Sequence, residues 1–218
     1  FEALKKINSE IIAWIRIPDT KIDYPVVQGT DNEFYLKHTF KKTEHVAGSI
    51  FLDKDNSPDF SNRKSILYGH NMKDGSMFKR LNGYKKEEYY RGHKEITLYL
   101  ENQKCQYEVA AVYVTNVAQS GGYYDYIHKE TRNQQMEYLQ KMAAYQLYDT
   151  GLTVTKEDEL LSLFICKYSS RISVLRRMSG RWVTTSCPCY SLSLAVEYKN
   201  DLGSLAFWLS GFLHSHLV

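Results

Sequence analysis

The chain alternates between apolar and polar positions mostly with the two-residue period of β-strands. Seven segments show that alternation or a short continuous apolar run: 14–17, 22–24, 48–52, 65–69, 95–100, 106–117 and 160–166. A chain with many strands and few helices buries its apolar faces most readily as a sheet that curls on itself. We therefore predict a mostly-β fold, a single closed or nearly closed β-barrel.

Two segments have the three-to-four-residue apolar spacing of amphipathic helices. The first covers residues 1–15. The second covers residues 131–148, and the turn-forming run Asp149-Thr150-Gly151 follows it as a stop signal. We expect the N-terminal helix to pack on the barrel and the longer helix to be an insertion between strands.

Composition narrows the class of protein. The 218 residues suit one domain with at most a small appendage, and 43% apolar residues are enough for a core. The formal net charge is only +3, and no basic run carries interleaved aromatic residues, so we predict no nucleic-acid partner. The last apolar stretch, 205–218, is too short and too polar to span a bilayer. We expect membrane contact only through an anchor absent from this chain.

The four cysteines do not form the pattern of a metal site or of a disulfide framework. Only Cys187 and Cys189 are close in sequence, and their spacing is shorter than the Cys-x-x-Cys of zinc and redox sites. No second pair follows them. We predict no metal and no cofactor.

One histidine and one cysteine stand out as candidate chemistry. His70 comes directly after an apolar strand and lies between two glycines, and Cys166 closes another apolar strand. A free thiol has a pKa of about 8.5, so a nucleophilic cysteine needs help from a group such as an imidazole. The residues alone are equally compatible with a loop histidine bound to backbone and a cysteine packed in the core.

The run Tyr-Gly-His-Asn-Met-Lys-Asp-Gly-Ser-Met-Phe at residues 68–78 resembles the histidine motif of class B sortases. Further segments are similar to the first strands of that family and to its approach to the nucleophile: 11–28, 31–36, 48–53, 147–151 and 159–163. The resemblance covers residues 5–168.

The resemblance implies a cysteine transpeptidase on the outer face of the cytoplasmic membrane of a Gram-positive bacterium. It implies that Cys166 attacks a cell-wall sorting signal of a surface protein and forms a thioester, with His70 as the catalytic histidine. An amine of a peptidoglycan precursor, or of another surface protein, would then resolve the thioester.

The family also places an arginine on the strand after the cysteine, to hold the substrate and its oxyanion. Arg181 follows a glycine and precedes a better strand pattern, whereas Arg176 has the more usual spacing from Cys166 but lies in a run that makes a poor strand. We prefer Arg181 and keep Arg176 as the alternative. If Arg181 has the catalytic role, we expect Arg176 and Arg177 to lie in a connecting loop.

The match to the family decays after residue 163. The family usually has a small polar residue and a threonine before the cysteine and an acidic residue after it, whereas this chain has Phe164, Ile165 and Lys167. We assign residues 1–186 to the sortase-like domain and residues 187–218 to an extension of unknown role, either genuine or a shifted reading frame.

Two competing functions follow from the same residues. The first is a catalytically impaired sortase-like domain that acts as a surface binding module. The second is a peptidoglycan L,D-transpeptidase, but those enzymes place histidine and cysteine close together in one motif, and this chain does not.

Overall fold

The computed structural model describes residues 1–114, 131–155, 157–166, 170–177 and 193–198. Among them nine strands join one curled, half-barrel sheet in the order β6-β5-β1-β2-β3-β4-β7-β8-β9. The strands are β1 Ile11–Arg16, β2 Asp23–Val27, β3 Ile50–Leu52, β4 Lys64–His70, β5 Glu95–Leu100, β6 Lys104–Glu108, β7 Leu160–Cys166, β8 Ser170–Arg177 and β9 Ser193–Tyr198.

The helices are short. They are α1 Glu2–Ile7, α2 Phe34–Lys37, a 3-10 helix Phe78–Lys85, α3 Glu87–Gly92 and α4 Arg132–Ala143. No helix in the described part of the chain is both long and apolar enough to cross a bilayer.

The mostly-β prediction is confirmed, and each of the seven segments with strand pattern contributes to a strand. The predicted segment 106–117 is the least accurate, because β6 ends at Glu108 and residues 115–117 lie outside the described residues. Two residue pairs also join β6 to β8. The strand order supports a curled half-barrel, and a fully closed barrel stays a prediction.

The N-terminal helix was predicted too long. α1 ends at Ile7, and Asn8 already has extended backbone angles. From Ile11 the chain forms β1, which pairs with β2 on one side and β5 on the other. Positions 11 and 15 fit both a helical and a strand period, and backbone pairing on two sides decides for the strand.

The inserted helix is also shorter than predicted. α4 ends at Ala143 and not at residue 148. Past its end, the Leu147 N–H donates to the carbonyl of Val112 at 2.9 Å, and Gln146 bridges to Tyr113. Leu147, which fitted the helical apolar pattern, is 42% exposed. Extended pairing with the segment after β6 therefore replaces the last helical turn.

The parallel pair β4–β7 lies inside the sheet, with β3 and β8 as its outer neighbours. In both strands every residue is buried except the last, and these last residues are His70 and Cys166. Strands buried on both faces read as continuous apolar runs, which is why both were visible in the sequence.

Part of the predicted extension belongs to the sheet. Residues 193–198 form β9, which pairs antiparallel with β8 over six residue pairs. The remainder of 187–218 lies outside the described residues, and the assignment of that segment as a separate extension stays a prediction.

Candidate active site

The parallel register of β4 and β7 brings the two candidate catalytic residues to one edge of the sheet. Lys64 lies opposite Leu160, the pairs continue in step, and the last pair is His70 with Cys166. The residues are separated by 96 positions in the chain. Because the carboxyl ends of parallel strands meet at the same edge, both residues lie at the carboxyl end of a buried strand pair.

Gly69 allows this part of β4 to pack closely on its neighbours. A Cβ added at Gly69 would lie 2.4 Å from Cδ1 of Ile50 and 2.6 Å from the ring of Phe78, and both residues are fully buried. The glycine before His70 is therefore required by close packing beneath the site.

The His70 ring is held by two main-chain carbonyls. Its Nδ1 lies 3.1 Å from the carbonyl oxygen of Cys166, and its Nε2 lies 2.7 Å from that of Leu36. The Asn71 N–H also donates to the Cys166 carbonyl, at 3.1 Å. These contacts fix the plane of the imidazole at the strand end.

Cys166 is a half-buried free cysteine at the edge of the core. Burial raises the pKa of its thiol to about 12, and a backbone hydrogen bond from Gly69 opposes that rise. Near neutral pH the thiol form therefore dominates, and nucleophilic chemistry needs a cation close to the sulfur.

Two aromatic rings lie next to the site on the same two strands. Tyr68 and Phe164 are opposite each other in the register, and their ring centroids are 5.6 Å apart. Both are buried. Phe164 departs from the small polar residue usual in the family, and here it packs in the apolar layer beneath the His70–Cys166 pair.

A buried carboxylate connects this layer to the segment that carries Leu36. Asp53, 2% exposed, accepts hydrogen bonds from the Tyr68 hydroxyl at 2.7 Å and from the Asn32 side chain at 3.0 Å. Sequence reasoning placed Asp53 in a family-like segment but gave it no role. Leu36 was likewise placed in a family-like segment without a role, because a main-chain carbonyl leaves no signal in residue identity.

The register of β8 does not bring Arg176 to Cys166. Arg176 lies in β8, opposite Leu160, which is the first residue of β7, whereas Cys166 is the last. Six residues along a strand correspond to about 20 Å. Arg181 lies outside the described residues.

The prediction of a loop around Arg176 is wrong. The structure places Arg176 and Arg177 within β8, because this end of the strand pairs with β6 on one side and with β7 on the other. Neighbours on both sides outweigh the weak strand propensity of the arginine run.

No group of three or more His, Cys, Asp or Glu side chains suited to a metal ion occurs among the described residues. The chemistry that the site supports with its own residues is nucleophilic attack by a cysteine with proton transfer by a histidine.

The raised thiol pKa gives a testable prediction. The rate of alkylation of Cys166 by iodoacetamide should keep rising from pH 7 to pH 10, because the reactive thiolate forms only as the pH approaches about 12. The rate is measured by peptide mapping, with the fully buried Cys105 as the slow internal reference. A plateau at or below pH 8 would contradict the raised pKa of the Cys166 thiol.

Comparisons with known proteins agree with this geometry. The family model "Sortase domain" matches residues 15–183. Sortase B of Listeria monocytogenes is 36% identical over 167 residues, which are 75% of this chain and 65% of that protein. Sortase B of Staphylococcus aureus is 33% identical over 169 residues, 77% of this chain and 67% of that protein. The chain therefore spans about two thirds of the length of these relatives.

Solved structures show the same similarity. Sortase B from Bacillus anthracis in complex with AAEK1 superposes with a TM-score of 0.75 at 37% identity, covering 83% of this chain and 84% of that one. The Staphylococcus aureus sortase B–substrate complex superposes with a TM-score of 0.71 at 32% identity, covering 77% of this chain and 76% of that one. The family match, the curated relatives and the solved structures together show that this chain belongs to the sortase family, within class B.

Proposed function

We propose that the protein is a cysteine transpeptidase that cleaves a sorting signal and transfers the surface protein to an amine. The observation that carries this proposal is the register pair of His70 and Cys166 at the open end of two buried parallel strands. A rigid strand pair of this kind holds nucleophile and acid–base group at a fixed mutual position.

The reaction consists of two acyl transfers. The Cys166 sulfur, as thiolate, attacks the scissile carbonyl carbon, and the tetrahedral intermediate collapses as the imidazolium of His70 gives its proton to the leaving amine. A thioester on Cys166 remains. An acceptor amine then attacks the thioester carbonyl, His70 takes the proton, and the Cys166 thiolate leaves with the new amide bond formed.

The partners follow from the class of protein. The Staphylococcus aureus relative is described as a complex with its substrate, which supports a sorting-signal peptide as the donor here. The acceptor in this proposal is an amine of a peptidoglycan precursor or of another surface protein. The place of action is the outer face of the cytoplasmic membrane of a Gram-positive bacterium, with no nucleic acid, metal or cofactor involved.

The second candidate function is an impaired sortase-like domain that binds a peptide without turnover. Two observations favour it. Phe164 replaces a small polar residue directly beneath the site, and the β8 register keeps the backbone of Arg176 at the far end of β7 from Cys166. Measured turnover separates the two functions.

Replacing the nucleophile tests the proposal. Cys166→Ala should lower cleavage of sorting-signal peptides by 10³-fold or more, on the order found when other enzymes lose their nucleophile. Cys105→Ala is the matched control, because Cys105 is a buried free cysteine of β6 that pairs with Leu98 of β5. Cleavage is followed by mass spectrometry of the product peptides. Substantial turnover by Cys166→Ala would refute the assignment, as would equal losses in both variants.

The arginine assignment gives a separate prediction. Arg181→Ala should lower turnover by about 10²–10³-fold, because a donor aimed at the oxyanion typically contributes about 3–4 kcal/mol. Arg176→Ala should be mild. Arg171→Ala, near the start of the same strand β8, is the control for loss of a cation from that strand.

These variants are compared by kcat/KM and by melting temperature, so that loss of the fold is not read as loss of catalysis. The opposite ranking would move the role to Arg176. Harmless changes at both positions in an active enzyme would show that the three-residue site is wrong.

A further inference from the structure

The short helix α2 ends beside the candidate catalytic histidine. A helix of four residues leaves its last carbonyls without partners inside the helix. Groups outside the helix contact these carbonyls. The Ser49 N–H donates to the Tyr35 carbonyl at 2.9 Å, and the His45 N–H donates to the Lys37 carbonyl at 2.7 Å. Nε2 of His70 contacts the Leu36 carbonyl at 2.7 Å. The His70 ring is thus part of the cap of this helix.

Both nitrogens of the His70 ring face carbonyl oxygens, which only accept hydrogen bonds. A neutral imidazole has one N–H, so either neutral tautomer would direct a ring lone pair at the oxygen of Cys166 or of Leu36. The doubly protonated imidazolium satisfies both contacts.

The two carbonyls differ in the hydrogen-bond partners that they keep when the ring gives up a proton. The Cys166 carbonyl also accepts the Asn71 N–H, so it keeps a partner when Nδ1 is deprotonated. Loss of the Nε2 proton would instead set a lone pair against the Leu36 oxygen at 2.7 Å. The Nδ1 proton is therefore the one that can move at low cost.

We propose that the main-chain carbonyl of Leu36 is a positioning group for His70: it holds the Nε2 proton, fixes the ring plane, and leaves Nδ1 to exchange a proton with the leaving and attacking amines. Its catalytic consequence rests on the proposed transpeptidase function, whereas the hydrogen bond itself does not.

The position of the Leu36 carbonyl depends on Gly48. This glycine has φ +55, and an added Cβ would lie 2.5 Å from the oxygen of Tyr35 and 2.7 Å from that of Leu36. The Tyr35 side chain is fully buried, and its hydroxyl accepts from the Asn8 side chain at 2.8 Å. The carbonyls of Tyr35 and Leu36 therefore cannot move toward the core without disturbing packed residues.

The chain offers a matched control for this position. Gly151 has φ +74, similar to Gly48, but an added Cβ there would meet nothing within 4 Å. Gly48→Ala and Gly151→Ala thus share the backbone strain of a left-handed alanine, and only Gly48→Ala displaces the Leu36 carbonyl.

The test uses nitrogen NMR of ring-labelled histidine in the intact chain together with peptide-cleavage kinetics. We expect the parent at neutral pH to show a protonated His70 Nε2 whose proton exchanges slowly. Gly48→Ala should lose that slow exchange and lower kcat by about 10-fold or more, with less effect on KM. Gly151→Ala should keep the parent's ring spectrum and kcat.

An unprotonated Nε2 in the parent would overturn the proposal. A folded Gly48→Ala protein that keeps the parent's ring spectrum would also overturn it, as would equal losses of kcat in both glycine variants. If the parent has no transpeptidase activity, its ring spectrum still tests the Leu36 hydrogen bond, so the two failures are distinct. If Gly48→Ala does not fold, an α-hydroxy acid in place of Lys37 makes the Leu36 carbonyl an ester, a weaker acceptor, and the same outcomes apply to that protein.

Discussion

The parallel pairing of β4 with β7 is the constraint on which the site depends. Both strands are buried along their length, so a shift of one residue would move an entire face of apolar side chains and is strongly disfavoured. The register that buries Leu67 beside Leu163 is the same register that sets His70 opposite Cys166. A single strand register therefore both buries the core and aligns the candidate catalytic pair.

Around that pair, main-chain groups supply most of the polar contacts. The carbonyls of Leu36 and Cys166 hold the imidazole, and the backbone of Gly69 contacts the thiol. Main-chain groups in packed segments are more rigid than long side chains, so they orient a ring at little entropic cost. Burial of the Cys166 thiol favours its uncharged form, and the backbone hydrogen bond from Gly69 opposes that effect.

Sequence reasoning predicted the strands well and the helix ends poorly. Continuous apolar runs such as 65–69 and 160–166 have few alternatives to a buried strand, whereas Ile11 and Ile15 fit two periods and needed their neighbouring strands to decide. The histidine and the cysteine were found through a resemblance, and only the parallel register shows why they meet. The role of the Leu36 carbonyl could not be predicted from the sequence, because main-chain geometry and not residue identity determines its contact with His70.

The most direct test of the central claim is intact-mass analysis of the protein after incubation with a panel of sorting-signal peptides in the absence of an acceptor amine. The account predicts an adduct with the mass of the acyl fragment, located on Cys166 by peptide mapping, cleaved by hydroxylamine and absent from Cys166→Ala. A protein that cleaves the peptides without such an adduct, or that carries the adduct on another cysteine, would contradict the assignment of Cys166 as the nucleophile.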